Sequence, residues 1–138
     1  MLYFAYGSNL NHFQMKRRCK DSKYLKKINL KGYTLNFRSK YRAADIEKKN
    51  NSFVPGGLYE ISKSDEKKLD IYEDFPNVYI KKYFRFLGRK VMFYYMPKKT
   101  KLIPPSTRYL NLIIKGYKDC GYKNNYIIIS RNKKIKIR

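Results

Sequence analysis

Leu2 to Tyr6 form a continuous apolar and aromatic run that stops abruptly at Gly7-Ser8-Asn9. A short apolar run bounded by turn formers predicts a buried strand. Asn11 stands where a helix cap belongs, with Gln14 three residues on, so a helix is predicted through Met15 to about Cys19. Lys16, Arg17 and Arg18 suit the negative end of its dipole. Tyr33 to Phe37 alternates apolar and polar residues and predicts a second strand. Arg38 to Ser52 is polar and ambiguous, with a strand expected around Ala43 to Ile46 and then an exposed loop. Phe53 to Ile61 predicts a further strand, interrupted at Pro55-Gly56-Gly57, where Gly marks a bulge or close backbone approach and Pro an edge.

Ser62 or Ser64 caps a short helix with Asp65 and Glu66 in its first turn and Leu69 and Tyr72 on its apolar side. Phe75-Pro76-Asn77 ends it. Tyr79 to Leu87 and Lys90 to Met96 read as a hairpin around Gly88-Arg89. Ser106 caps a third helix whose apolar positions Tyr109, Leu110, Ile113, Ile114 and Tyr117 recur at helical spacing, and Gly121 ends it. Tyr126 to Ser130 predicts a last strand. Strands with three short helices between them, without strict βαβ alternation, point to an α+β fold. Its sheet would be mixed or mostly antiparallel, curled or closed into a small barrel.

Composition narrows the function without naming it. A chain of 138 residues suits one domain, 1–138, with a basic C-terminal end from about 123. Hydrophobic residues at 43% are enough for a packed core. No apolar run approaches the roughly 20 residues that span a bilayer, and the first residues lack the basic region of a signal peptide. A single histidine and two distant cysteines argue against an ordinary zinc site and a disulfide framework. A cytoplasmic, reducing compartment is the expectation. The net charge of +23 comes from 33 basic against 10 acidic residues. Most of the basic residues are Lys, in a chain also rich in Asn, Ile and Tyr, the mark of A/T-rich codons. Nucleic acid is therefore expected only as a nonspecific electrostatic partner.

The acids crowd between Glu60 and Asp74. Asp65 and Glu66 complement a helix start, and Asp70 is spaced to face Glu66 on the solvent side. Glu73 differs: beside Tyr72 and just ahead of Phe75-Pro76, it sets a carboxylate against an aromatic wall at a helix end, where burial raises a pKa toward neutrality. The ordinary role of such a group is a solvated helix end. The junction Tyr6-Gly7-Ser8-Asn9 presents consecutive backbone N–H groups, which suit a carboxylate or an oxyanion. Its ordinary role is a helix-opening turn. Ser8 lacks the context of a nucleophile elbow, and His12 is expected on the exposed first turn of its helix.

These segments, in order, resemble the gamma-glutamylcyclotransferase (AIG2-like) superfamily. The resemblance rests on Tyr3-Phe4-Ala5-Tyr6-Gly7-Ser8-Asn9-Leu10 with Met15 and Arg18-Cys19, on Gly57-Leu58-Tyr59-Glu60-Ile61 with Leu69-Asp70-Ile71-Tyr72-Glu73, and on Pro105-Ser106, Tyr109 and Gly116. The Gly-Ser-Asn form is similar to the gamma-glutamylcyclotransferase branch. The resemblance implies a small mixed-strand barrel with flanking helices. It implies Glu73 as the acid/base residue, Tyr6, Gly7, Ser8, Asn9 and Leu10 as a backbone cradle for the glutamyl group, and Tyr79 and Tyr94 as pocket tyrosines. It implies no cofactor or metal and a small γ-glutamyl substrate, released as 5-oxoproline and a free amine. Two departures stand out: Asp45 occupies a position where many relatives carry Asn, and the usual C-terminal segment is replaced by a short basic end. The rival expectation is a binding protein on the same fold whose basic surface holds a polyanion. Oligomeric state is not legible.

Overall fold

The computed structural model describes residues 1–123 and the strand segments 126–129 and 133–136. Seven strands form one mixed sheet: β1 (Leu2–Ala5), β2 (Lys23–Arg38), β3 (Ala43–Glu60), β4 (Ile80–Phe86), β5 (Arg89–Tyr95), β6 (Tyr126–Ile129) and β7 (Lys133–Lys136). Three helices accompany them, α1 (His12–Arg18), α2 (Lys63–Tyr72) and α3 (Thr107–Asp119), and Ser8–Leu10 makes one 3-10 turn. The spatial order is β4-β5-β1-β3-β2-β6-β7. β1 pairs antiparallel with β3 and parallel with β5, and β2 pairs parallel with β6. The class is α+β, as expected.

The sheet is open; among the described residues β4 and β7 form its two edges, and the expected barrel closure does not occur. Bending is taken up inside the β2–β3 pair, whose register slips between Tyr24 and Lys26 and between Lys31 and Tyr33. A helix rather than a strand then covers the bent face. The Tyr117 hydroxyl of α3 donates to the Pro55 carbonyl at 2.8 Å, and Tyr122 donates to the Gly56 carbonyl at 2.9 Å.

The polar stretch 43–52 is a strand, contrary to the mixed expectation, because β2 and β3 form one long hairpin. Its partner offers a full ladder from Tyr33↔Lys48 to Arg38↔Ala43, which outweighs weak strand propensity. Pro55 also lies inside β3, a central strand, rather than at an edge. It is tolerated because β1 pairs only as far as Ala5↔Gly57, leaving Pro55 unflanked on that side. Gly56 must be Gly: a Cβ there would sit 2.5 Å from the Ala5 carbonyl oxygen and the Phe4 ring. The hairpin turn centres on Leu87-Gly88, one residue earlier than expected, both with positive φ as two-residue turns require.

The helices start where the sequence places them. The Asn11 side chain accepts from the Gln14 amide, and the Ser106 hydroxyl from the Tyr109 amide. Ser62, not Ser64, caps α2 in a reciprocal box with Asp65. Phe4, Leu10, Met15, Leu69, Phe93, Ile113 and Tyr117 are fully buried in one core linking β1, β3, β5 and the helices. Among the described residues no helix is long and apolar enough to cross a membrane. Within the basic C-terminal end, residues 124–125, 130–132 and 137–138 lie outside the described residues.

Candidate active site

β1 is buried along its length, so its end delivers Tyr6 and the following turn into the interior. The 3-10 turn begins at Ser8, and its closing bonds, from the Leu10 amide to the Gly7 carbonyl and from the Asn11 amide to the Ser8 carbonyl, use the later amides. The first amides of such a turn have no intrahelical acceptor, so Ser8 and Asn9 keep N–H groups to offer. α3 holds the turn from behind. At Gly116 a Cβ would lie 2.5 Å from the Asn11 nitrogen and 2.6 Å from Leu10 backbone, so only Gly permits this approach.

α2 ends at Glu73, whose amide donates to the Leu69 carbonyl at 2.8 Å. That ending turns the carboxyl toward a cavity of about 380 Å³ between the Gly7–Asn9 turn, the start of β3 and the end of β5. Tyr6, Gly7, Ser8, Asn9, Glu73, Tyr79 and Tyr94 all line it. Leu10 does not: its side chain is in the core and its amide is spent on Gly7. The cradle is thus shorter than expected.

The cavity wall is aromatic. Tyr3, Tyr41, Tyr72 and Tyr109 join Tyr6, Tyr79 and Tyr94 around it. Burial pushes the Glu73 carboxyl up to about 7, and only the Arg18 guanidinium pulls the other way. Among the described residues no side chain hydrogen-bonds to this carboxyl. In turn, the Glu73 charge adds to burial in raising Tyr3, Tyr6, Tyr79, Tyr94 and Tyr109, as expected for hydroxyls grouped around one carboxylate.

Arg18 is the cation of the site. Its guanidinium stacks 3.6 Å over the Tyr72 ring, donates to Ser8 Oγ at 3.2 Å and donates to Asn9 Oδ1. The second bond fixes the Asn9 amide, whose Nδ2 donates to the Tyr3 hydroxyl at 3.0 Å. Asn9 therefore builds the turn's rear wall as well as offering its backbone.

Other expectations resolve differently. Asp70 is no solvent spectator: it accepts from Tyr94 at 2.6 Å and pairs with Lys81 at 2.9 Å, and Lys81 also holds Glu66. Asp45 does not reach the cavity. It is fully buried against Arg38, Lys99 and the Met96 amide, where burial raises its carboxyl despite those partners. His12 is half-buried rather than exposed, stacked near Tyr24 with its ring nitrogen 3.7 Å from Cys120 Sγ. Cys19 and Cys120 are free and buried, and burial pushes both thiols up to about 12. Among the described residues no cluster of three His, Cys, Asp or Glu forms a metal site.

Sequence reasoning missed Tyr3, Tyr41, Tyr72 and Tyr109 as parts of the cavity wall and Arg18 as the cation bonded to its turn. Tyr72 and Tyr109 sit at helix positions whose apolar spacing predicts packing alone, and nothing in that spacing shows where a hydroxyl ends. Arg18 reads as an ordinary complement to a helix dipole.

The family description "Gamma-glutamyl cyclotransferase, AIG2-like" matches residues 3–111, which hold the turn, Glu73 and every tyrosine of the cavity. The chain belongs to that family. Among solved structures, one titled gamma-glutamyl cyclotransferase is 25% identical, with a TM-score of 0.76, over 88% of this chain and 80% of that one. An uncharacterised protein from Homo sapiens is also 25% identical, with a TM-score of 0.74, over 87% of this chain and 79% of its own length. YkqA from Bacillus subtilis is 26% identical with a TM-score of 0.70; the match covers 86% of this chain but 48% of YkqA. No curated protein sequence matches this family member significantly.

Proposed function

We propose that this gamma-glutamyl cyclotransferase family member converts a γ-glutamyl amine or γ-glutamyl amino acid to 5-oxoproline and a free amine. The observation that carries the reading is the Glu73 carboxyl, without a hydrogen-bond partner among the described residues and raised to about 7, at an aromatic cavity that the Gly7–Asn9 turn also lines. The family match and the likeness to a gamma-glutamyl cyclotransferase structure support the same class of reaction.

The reaction needs few groups. The substrate's α-ammonium has an ordinary pKa near 8, so a carboxylate poised near 7 takes its proton at little cost. The freed nitrogen then attacks the γ-carbonyl carbon of the same molecule and closes a five-membered ring. The carbonyl π electrons move onto oxygen, and the resulting oxyanion lies against the Ser8 and Asn9 amides. As the oxyanion collapses and the bond to the leaving nitrogen breaks, Glu73 gives that nitrogen the first proton. The carboxylate so restored then takes the second surplus proton from the ring nitrogen and passes it to the departing amine, leaving a neutral lactam and an ammonium product. Because the attack is intramolecular, holding the glutamyl chain curled supplies much of the acceleration. Tyr6, Tyr79 and Tyr94 form the wall against which it curls.

The substrate is a small molecule with a free α-amine and α-carboxylate, and the positive charge of the chain favours the approach of anionic glutamyl compounds. A panel of γ-glutamyl amino acids and γ-glutamyl amines, scored by 5-oxoproline formation, tests the assignment. Release from at least one of them is expected. Absence of turnover across the panel, with tight and salt-sensitive binding of a polyanion, would instead make the chain a binding protein.

A further inference from the structure

The tyrosine hydroxyls of the cavity point their protons in two opposite senses. Each hydroxyl has one proton to give. Tyr6 gives its proton to the Tyr94 carbonyl at 2.7 Å, Tyr79 to the Ala44 carbonyl, and Tyr94 to Asp70 at 2.6 Å. These three have only lone pairs left for a ligand. Tyr109 is the reverse: its oxygen accepts from the Ala44 amide at 3.1 Å, and its own proton has no acceptor among the described residues. Tyr3, which accepts from Asn9 Nδ2, is turned the same way but lies behind Asn9. One residue, Ala44, therefore turns two neighbouring tyrosines in opposite directions, one with its N–H and one with its carbonyl. Both groups are available because β1 ends well before this part of β3 and leaves that side of the strand unpaired.

The Tyr109 hydroxyl also adjoins the turn. A Cβ built on Gly7 would lie 3.5 Å from Tyr109 Oη and 3.3 Å from Ala44 Cβ. The free proton of Tyr109 thus sits beside the turn whose Ser8 and Asn9 amides are available.

We propose that Tyr109, oriented by the Ala44 amide, donates its hydroxyl proton to the oxyanion that the Gly7–Asn9 turn cradles, while Tyr6, Tyr79 and Tyr94 accept from the substrate's α-ammonium. This rests on the γ-glutamyl reading above. The substrate is thereby oriented end for end: its cationic nitrogen faces lone pairs and Glu73, and its reacting oxygen faces N–H and O–H donors. The Tyr109 bond strengthens as the planar carbonyl becomes a tetrahedral anion, so it acts mainly on the rate of the chemical step.

The test compares Tyr109→Phe with Tyr79→Phe, each checked for an unchanged circular dichroism spectrum. The substrate is the fastest member of the γ-glutamyl panel. Tyr109→Phe is expected to lower kcat about tenfold or more with KM little changed, since a bond to a charged oxygen is worth that much. Tyr79→Phe is expected to act chiefly on KM. A second measurement is independent of turnover: binding of a phosphinate in which a tetrahedral anionic phosphorus replaces the γ-carbonyl carbon. Tyr109→Phe should weaken this probe about tenfold while leaving the planar substrate's affinity unchanged. A raised KM at constant kcat in Tyr109→Phe, or equal phosphinate affinity in variant and parent, overturns the proposal. If the parent releases no 5-oxoproline from any substrate, the γ-glutamyl reading fails on its own account. The phosphinate comparison still decides the direction of the Tyr109 bond.

Discussion

The Tyr94 hydroxyl donates to Asp70 Oδ1 at 2.6 Å, tying the end of β5 to the last turns of α2, one helical turn before Glu73. Lys81 completes the tie by pairing with both Asp70 and Glu66. The catalytic candidate therefore sits on a helix whose position is set by a neighbouring strand. Asp70→Ala should cost about 1–3 kcal/mol, the range for a hydrogen bond to a charged group in a partly buried site. Tyr94→Phe should cost a similar amount. Urea unfolding of both single variants and the double variant checks the pairing: the double variant should lose less than the sum, and strict additivity would show that the bond contributes nothing.

Gly116 supports the turn from the opposite side. Gly116→Ala puts a Cβ 2.5 Å from the Asn11 nitrogen, against backbone that has no rotamer to change. The expected cost is about 1–3 kcal/mol of stability, as for an overpacked core. Moving the turn by a fraction of an ångström should also lower kcat/KM by about tenfold or more. Thermal melting and steady-state kinetics on the same preparation read both effects. A variant with the parent's kinetics would separate the turn from the reaction.

Burial of Glu73 should make the protein less stable as pH rises. Its pKa goes from 4.5 to about 7 on folding, so between those values the folded state holds a proton that the unfolded state has lost. Stability from this group is full below about 4.5 and falls as pH rises to about 7, by up to roughly 3 kcal/mol. Glu73→Gln has no charge to bury, so it should melt higher than the parent at pH 8 and level with it at pH 4. Calorimetry at the two pH values checks the sign.

Arg18 is the cation that opposes this shift. Removing it in Arg18→Met should raise the Glu73 pKa further and move the acid limb of the kcat/KM profile from about 7 to higher pH. The same variant loses the stack on Tyr72 and the bonds to Ser8 and Asn9, so its plateau should fall as well. A lower plateau with an unmoved limb would mean that Arg18 supports the turn without acting on the carboxyl.

How much of this was legible in the sequence follows from the range of each interaction. Caps and turns are local, so Asn11, Ser106 and the end of α2 were readable from neighbouring residues. The apolar run of β1 and the α+β class followed from pattern. The length of β2 and β3 was not, because a polar stretch becomes a strand only when its partner's ladder is present. Barrel closure was also misjudged, since strand count does not reveal where a register slip bends a sheet. Glu73 stood out by its aromatic neighbours. Asp70, one turn earlier, read as solvent-facing because its partners Tyr94 and Lys81 lie on a hairpin distant in sequence. Tyr109 and Arg18 had ordinary local explanations, and only the assembled cavity gives them another one.

The central claim is that the Glu73 carboxyl moves the proton that lets a γ-glutamyl amine cyclise. Its most direct test is the rate of 5-oxoproline release by Glu73→Gln beside the parent, on the best substrate of the panel and at the parent's optimum pH. The amide keeps the size of the side chain but cannot take a proton. A fall of about 10²–10⁴-fold is expected, the usual loss on removing a general acid–base group, with the circular dichroism spectrum intact. A folded Glu73→Gln that releases 5-oxoproline at the parent's rate would contradict the account.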